Sequence, residues 1–257
     1  MNNIFEDQIL TRFIEFYYSK ILNLINNVEE PDILSIQIGE YSIQNLKAVN
    51  LLVNNRLYAQ ALSVIRVISE CLILLSESVK NNALFETYTK RETKLKTDSL
   101  KDRQRNFQNG IGNFSGKDSN RLNELLNFLK QTGMPAPLDV EKIAKDNDLT
   151  FYYDNFYKFC SSTIHLCPHT LAKLLKEFED EYADIQLLKY PFSNYKIFTI
   201  FSAALCTLEI FNIINIKFKL GLGEDINYLF DQNINNLITI KEQLDDSIIK
   251  VITLPKR

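Results

Sequence analysis

The sequence predicts an all-α protein, a bundle of about seven to nine helices with a charged helical insertion. Two observations carry that expectation. Glycine (7) and proline (6) are scarce in 257 residues, and the prolines (Pro31, Pro135, Pro137, Pro168, Pro191 and Pro255) fall at breaks between periodic stretches. Between those breaks apolar residues recur at helical spacing over long segments. A hydrophobic content of 46% is ordinary for a globular chain and is enough to bury a large core.

Residues 4–28 place Ile9, Phe13, Phe16, Tyr17, Ile21, Leu24 and Ile25 at helical spacing, and Glu29, Glu30, Pro31 and Asp32 end that helix. Ile33–Asn54 reads as a second helix with Gly39 as a weak point, and Leu57–Lys80 as a third, strongly apolar one, closed by Asn81 and Asn82. From Phe85 to Asn109 apolar groups become few, and seven basic residues face four acidic ones. This is a long solvated helix or a hairpin arm, and Gly110–Ser119 is a flexible loop after it. Its Gly-x-Gly follows no strand and is no phosphate loop. Asn120–Gln131 and Asp139–Asp146 are short helices, and Thr150–Leu166 is an aromatic-rich one that Pro168 breaks. His169–Ile185 is amphipathic with an acidic face, Ser193–Leu220 is the apolar helix after Pro191, and Asp225–Ile252 is the last. The chain reads as a single helical domain, 1–257, with 83–118 as a charged insertion within it.

A net charge of −3 argues against a general polyanion binder, so any nucleic-acid contact uses a local basic patch. Cys71, Cys160, Cys167 and Cys206 form no CxxC pair and lie in apolar surroundings, which reads as reduced thiols in a cytoplasmic protein. The N-terminal residues lack the basic-then-apolar pattern of a signal peptide. Ile197–Ile216 is the most apolar stretch, but it carries Glu209, Asn212 and Asn215, so a buried central helix is expected and no membrane.

Two segments set polar groups on an apolar background at four-residue spacing. Arg66 and Glu70 lie in ALSVIRVISECLILL, and Tyr157, Ser161 and His165 in FYKFCSSTIHLCPHTL. Residues four apart share a helical face, so each segment aims its polar groups along one stripe. The apolar neighbours of Arg66 and Glu70 leave only a narrow polar strip, with Ser63 and Ser69, and partial burial of a charged pair calls for a partner or a use. An intrahelical ion pair is the bland alternative, in the weaker Arg-before-Glu order. His165 sits before the proline break and has a side chain suited to general acid or base work; the bland alternative is a capping histidine. Tyr157 is suited to orienting a substrate phosphate or to packing, and Ser161 to bonding His165 one turn on or its own backbone. Tyr152 or Tyr153 offers a ring for stacking a base. No Gly-x-Ser-x-Gly elbow exists, which argues against a serine hydrolase. His165 and His169 have metal-pair spacing, but Pro168 interrupts it and the Glu of HExxH is missing, so no metal or cofactor is expected.

These residues resemble an uncharacterised family of bacterial all-helical domains. It has an Arg-x3-Glu helix, here Arg66 and Glu70, and later Tyr-x3-Ser-x3-His with a proline shortly after, here Tyr157, Ser161, His165 and Pro168. That family in turn resembles the HEPN group of helical bundles, which includes RNA-cutting toxins and phage-defence effectors that work as dimers. The HEPN nuclease motif has Arg four to six residues before His on one helix. Here Phe159–Ile164 contains no arginine, so Arg66 has to supply the cation from another helix.

The resemblance therefore implies a metal-independent endoribonuclease with His165 as general acid or base, Arg66 stabilising phosphorane charge and Glu70 orienting either. Tyr157 and Ser161 would position the phosphate, and Lys94, Lys101 and Arg103 of the arm would hold RNA. The alternative is a non-catalytic helical binding module that senses a nucleotide or pairs with an effector protein. Expected partners are RNA or a nucleotide, a second copy of the chain, or a partner protein.

Overall fold

The computed structural model describes residues 3–26, 32–81, 83–135, 137–164 and 190–241. Among them are nine helices and no strand. The sequence-expected helix over His169–Ile185 lies outside the described residues, as do Cys167, Pro168 and His165 itself.

The chain divides into two compact units, Lys80–Asp139 and the remainder. In the remainder, α1 begins as Asn3–Phe16, continues through a π-helical stretch at Tyr17–Ile21 and ends in a turn at Leu22–Ile25. Besides Leu10, its buried residues are Ile9, Phe13, Tyr17, Ile21 and Ile25, spaced by four. In an α-helix a strict four-residue repeat drifts about 40° per step around the axis. The wider π turn absorbs that drift and keeps all five on the core side.

α2 (Ile33–Asn54) is capped by Asp32, whose carboxylate accepts from Ser35 N and Ser35 Oγ. Gly39 does not break this helix. It lets α2 approach α8 (Tyr190–Phe218), since a Cβ there would lie 2.8 Å from Ile214 Cδ1. Lys217 near the end of α8 bridges to Asp32 at 3.0 Å and closes the same contact.

By length and composition α8 is apolar enough to cross a membrane at Lys196–Phe218, but 83% of its apolar window is buried inside the protein. It is a core helix. α1 and α2 pack against it together with α9 (Gly223–Lys241), which Asn215 Oδ1 anchors by accepting from Leu222 N. α9 begins two residues before the expected Asp225, once Lys219 and Gly221 have turned the chain with positive φ.

α3 (Tyr58–Lys80) buries Ile65, Ile68, Leu72, Ile73 and Leu75 and reaches its neighbours through polar groups as well. Ser78 Oγ meets Ser35 Oγ at 2.9 Å. Asn147, in the turn after α6 (Val140–Asp146), donates to Glu77 and accepts from Ser76. α7 follows as Thr150–Tyr152, a second π-helical stretch at Tyr153–Lys158, and Phe159–Ile164. Cys71, Cys160 and Cys206 are buried, and burial pushes the first two thiols up to about 12 and Cys206 higher still.

In the Lys80–Asp139 unit, α4 (Ala83–Gln108) packs on α5 (Gly116–Thr132) with Thr93, Thr97, Leu100, Leu122 and Leu129 buried. The loop ends at Ser115, four residues short of the expected Ser119. Ser115 and Asp118 form a capping box that starts α5 early, and Arg103 grips Asp118 through both terminal nitrogens at 3.3 and 3.4 Å. The charged segment is thus one helix of a helical hairpin.

Two outcomes follow from this packing. Gly39→Ala should change stability by less than about 1 kcal/mol, because the helix-propensity gain of roughly that size offsets displacement of the Ile214 methyl. Gly39→Leu should cost about 1–3 kcal/mol by overpacking, read from urea unfolding midpoints; equal midpoints for the two variants would mean that the α2–α8 approach is not close. The second concerns Asp32. Burial alone would raise its carboxyl, but bonds from Lys217 and Ser35 outweigh burial and hold it below the usual range. A depressed folded value gives stability that is fully present above about pH 4 and lost as pH falls through the folded value. Asp32→Asn should therefore be less stable than wild type at pH 7 by about 0.5–1 kcal/mol, and the gap should shrink by pH 3.

Candidate functional site

Arg66 leaves α3 on the flank of its buried face, one residue after fully buried Ile65. On α7 the same offset recurs. Phe156 and Cys160 are buried, Phe156 and Phe159 pack edge-on to Phe198 of α8, and the following residues Tyr157 and Ser161 face away from that anchor. Their four-residue spacing would drift on a plain α-helix. The π-helical stretch at Tyr153–Lys158 keeps them together.

The two stripes meet. Arg66 Nε donates to Ser161 Oγ at 2.9 Å and Arg66 Nη2 to Tyr157 OH at 3.0 Å, across sequence separations of 95 and 91 residues. The guanidinium carbon also lies 4.9 Å from the Tyr157 ring centroid. Glu70 Oε2 is 3.7 Å from Arg66 Nη2, too long for a hydrogen bond, so the ion pair is loose. Both side chains are about one-third exposed, at 33% and 34%, so the group is neither sealed in the core nor fully solvated. Ser69, expected on the same polar strip, instead turns inward, donating to Ile65 O and meeting Cys206 Sγ at 3.5 Å.

This arrangement has a definite chemical capacity. A guanidinium has five N–H donors, and among the described residues Nη1 has no hydrogen-bond partner. Each hydroxyl uses its oxygen to accept from Arg66 and retains its own proton to donate. Neither proton has an acceptor among the described residues. Free N–H and O–H groups thus converge around one cation, a set suited to an anionic oxygen such as that of a phosphate. Glu70 places a negative charge 3.7 Å from the same Nη2 that donates to Tyr157.

Tyr153 extends the group. Its ring stacks on Tyr157 at 5.3 Å and 19°, while its hydroxyl reaches Glu141 at 3.4 Å. Arg66, Tyr157 and Tyr153 therefore form a continuous stack. Tyr152, the other candidate for base stacking, lies edge-on to Phe151 and Phe156 and packs against the core. The signal separating them is spacing, since Tyr153 continues the Tyr157–Ser161 repeat backwards by four.

The remaining candidates are placed elsewhere or not described. His165 lies outside the described residues, immediately after the end of Phe159–Ile164. Arg103 is engaged within its own hairpin by Asp118 and by the Asn113 carbonyl. Lys94 and Lys101 are exposed on α4 and have no hydrogen-bond or ion-pair partner among the described residues. No group of three or more His, Cys, Asp or Glu side chains is gathered for a metal among the described residues.

Replacing Arg66 by Met should destabilise the protein through the two hydroxyls it leaves, by about 1–3 kcal/mol, whereas Glu70→Gln should cost under about 1 kcal/mol because that pair is loose and partly solvated. Urea midpoints check the ranking, and a larger loss at Glu70 would reverse the assignment of Arg66 as the hub.

No curated protein and no solved structure matches the chain. Residues 37–182, over half of the chain, match a family described as "Family of unknown function (DUF5677)", and the matched span includes Arg66, Glu70, Tyr157, Ser161 and His165. On that match the chain belongs to this uncharacterised family.

Proposed function

We propose that this chain is a HEPN-like, metal-independent endoribonuclease. The observation that carries the reading is the capture of Arg66 by Tyr157 and Ser161, which supports Arg66, from a helix over 90 residues away, as the cation that the local HEPN motif lacks. In this reaction the 2′-hydroxyl of a ribose attacks the adjacent phosphorus, the P–O5′ bond breaks, and a cyclic phosphate and a 5′-hydroxyl result. His165 takes the 2′ proton or delivers one to the leaving oxygen. Arg66 stabilises the extra negative charge that builds on the phosphorane oxygens. Tyr157 and Ser161 donate to the same oxygens, and Glu70 holds the guanidinium in its plane. The same reading makes the protein a cytoplasmic bacterial toxin or phage-defence effector acting as a homodimer, on the pattern of HEPN-like effectors.

One observation favours a second reading, a non-catalytic module that senses a nucleotide or pairs with an effector protein. Arg66 has two hydroxyl partners and the carboxylate of Glu70 beside it, so its charge is met by groups of the protein itself.

Incubating the protein with mixed RNA and excess chelator separates the two. Wild type should cut and leave cyclic phosphate ends detectable by mass spectrometry. Arg66→Lys, which keeps charge but loses the fork geometry, should fall by about 100- to 1,000-fold. His165→Ala should fall by about 100-fold or more with its fold retained by circular dichroism. Folded wild type that leaves RNA intact while binding a nucleotide in calorimetry would replace the nuclease with the sensing module.

A further inference from the structure

The Lys80–Asp139 unit contains eleven basic and seven acidic residues, a net charge of +4 within a chain of −3. The excess is not spread evenly over α4. Its buried side runs through Thr93, Thr97 and Leu100. Along one flank lie Arg91, Lys94, Asp98, Lys101 and Arg105, spaced three, four, three and four, which keeps them in line on a helix. All five are exposed. The row spans about 21 Å at 1.5 Å per residue. Arg91, Lys94 and Lys101 have no partner among the described residues, and Arg105 has only a 3.6 Å contact to Asp102 with both side chains largely solvated. By contrast, the cations on the other flank are tied up, Lys96 by Glu92 and Arg103 by Asp118. Lys90 also pairs, with Glu86, whereas Arg91, Lys94 and Lys101 stay open.

We propose that this flank of α4, carried by Arg91, Lys94, Lys101 and Arg105, is a sequence-independent rail for the phosphate backbone of RNA. A straight, rigid row of uncommitted cations with one interposed acid suits a regularly charged polymer, to which it gives counterion-release affinity. A membrane surface fits less well, because a helix that lies on lipid needs its apolar face for insertion, and α4 spends its apolar face on α5. The choice of RNA over DNA rests on the ribonuclease reading; the rail itself does not.

The test uses full-length protein and labelled 2′-O-methyl RNA, which lacks the attacking hydroxyl and cannot be cut, single-stranded and as a duplex, with the DNA duplex alongside. Fluorescence anisotropy is read across a salt series. Wild type should bind with a log–log salt slope of about −3 to −4, from four contacts at roughly 0.7 to 0.9 each. The fourfold variant Arg91→Gln, Lys94→Gln, Lys101→Gln, Arg105→Gln should lose at least tenfold in affinity at low salt and most of that slope. Lys96→Gln, on the opposite flank, should bind as wild type does. The ratio of single-strand to duplex affinity identifies which form the rail takes. Equal affinity and slope for wild type and the fourfold variant, with both folded, would overturn the rail. So would capture of wild type by phosphatidylserine vesicles without RNA binding. Rail-dependent binding of RNA by a wild type that cuts nothing would leave the rail standing and sink only the nuclease; DNA bound as tightly as RNA would remove the preference but not the rail.

Discussion

A helix that is apolar on nearly every face has no stable place in water except among other helices, and α8 is such a helix through its buried stretch Ile197–Leu208. Burial of Phe198, Ile200, Phe201, Ala203, Leu205, Cys206 and Ile210, which lie around most of its circumference, removes apolar surface from water on nearly all sides at once. The helices around it meet that demand in different ways. α1 supplies a straight row of large side chains with Phe13, Phe16 and Tyr17 around Phe211. α2 supplies a glycine, which brings the backbone close to Ile214. α7 docks by Phe156 and Phe159 on Phe198. These contacts set where α7 lies, and so where Tyr157 and Ser161 can reach.

The four-residue repeat is the second constraint. It appears in α1 as buried residues and in α7 as Tyr153, Tyr157 and Ser161. A regular α-helix cannot hold such a repeat on one line, and both segments contain a π-helical stretch. In α1 the stretch keeps the buried row on the core side. In α7 it brings a phenol and a hydroxyl to bear on one guanidinium, while Phe156 and Cys160, one residue earlier in each case, stay in the core. The candidate site thus sits on the flank of the core and inherits its rigidity from it.

Charge is divided along the chain in the same economical way. The hairpin of α4 and α5 has few buried apolar groups and many charged ones, and its local ion pairs at Glu92–Lys96 and Arg103–Asp118 hold and cap its own elements. The cations outside those pairs support a role in binding a polyanion, in keeping with the anionic ligand proposed for the Arg66 group.

The sequence by itself determined the fold class, because scarce glycine and proline and long helical periodicity allow little else. It also marked α8 as a core helix and singled out Arg66, Glu70, Tyr157 and Ser161 as polar groups on apolar helices. Periodicity could not locate the start of α5, where a side-chain capping box overrides a glycine-rich composition, nor the inward turn of Ser69. Which hydroxyl meets which nitrogen, the looseness of the Arg66–Glu70 pair and the withdrawal of Arg103 into its own hairpin were decided only by tertiary structure. The reason is physical. Spacing along one helix tells which residues share its face, but the partner across a contact depends on how two helices are docked, and here that docking is set by aromatic packing on α8 far from the polar groups themselves.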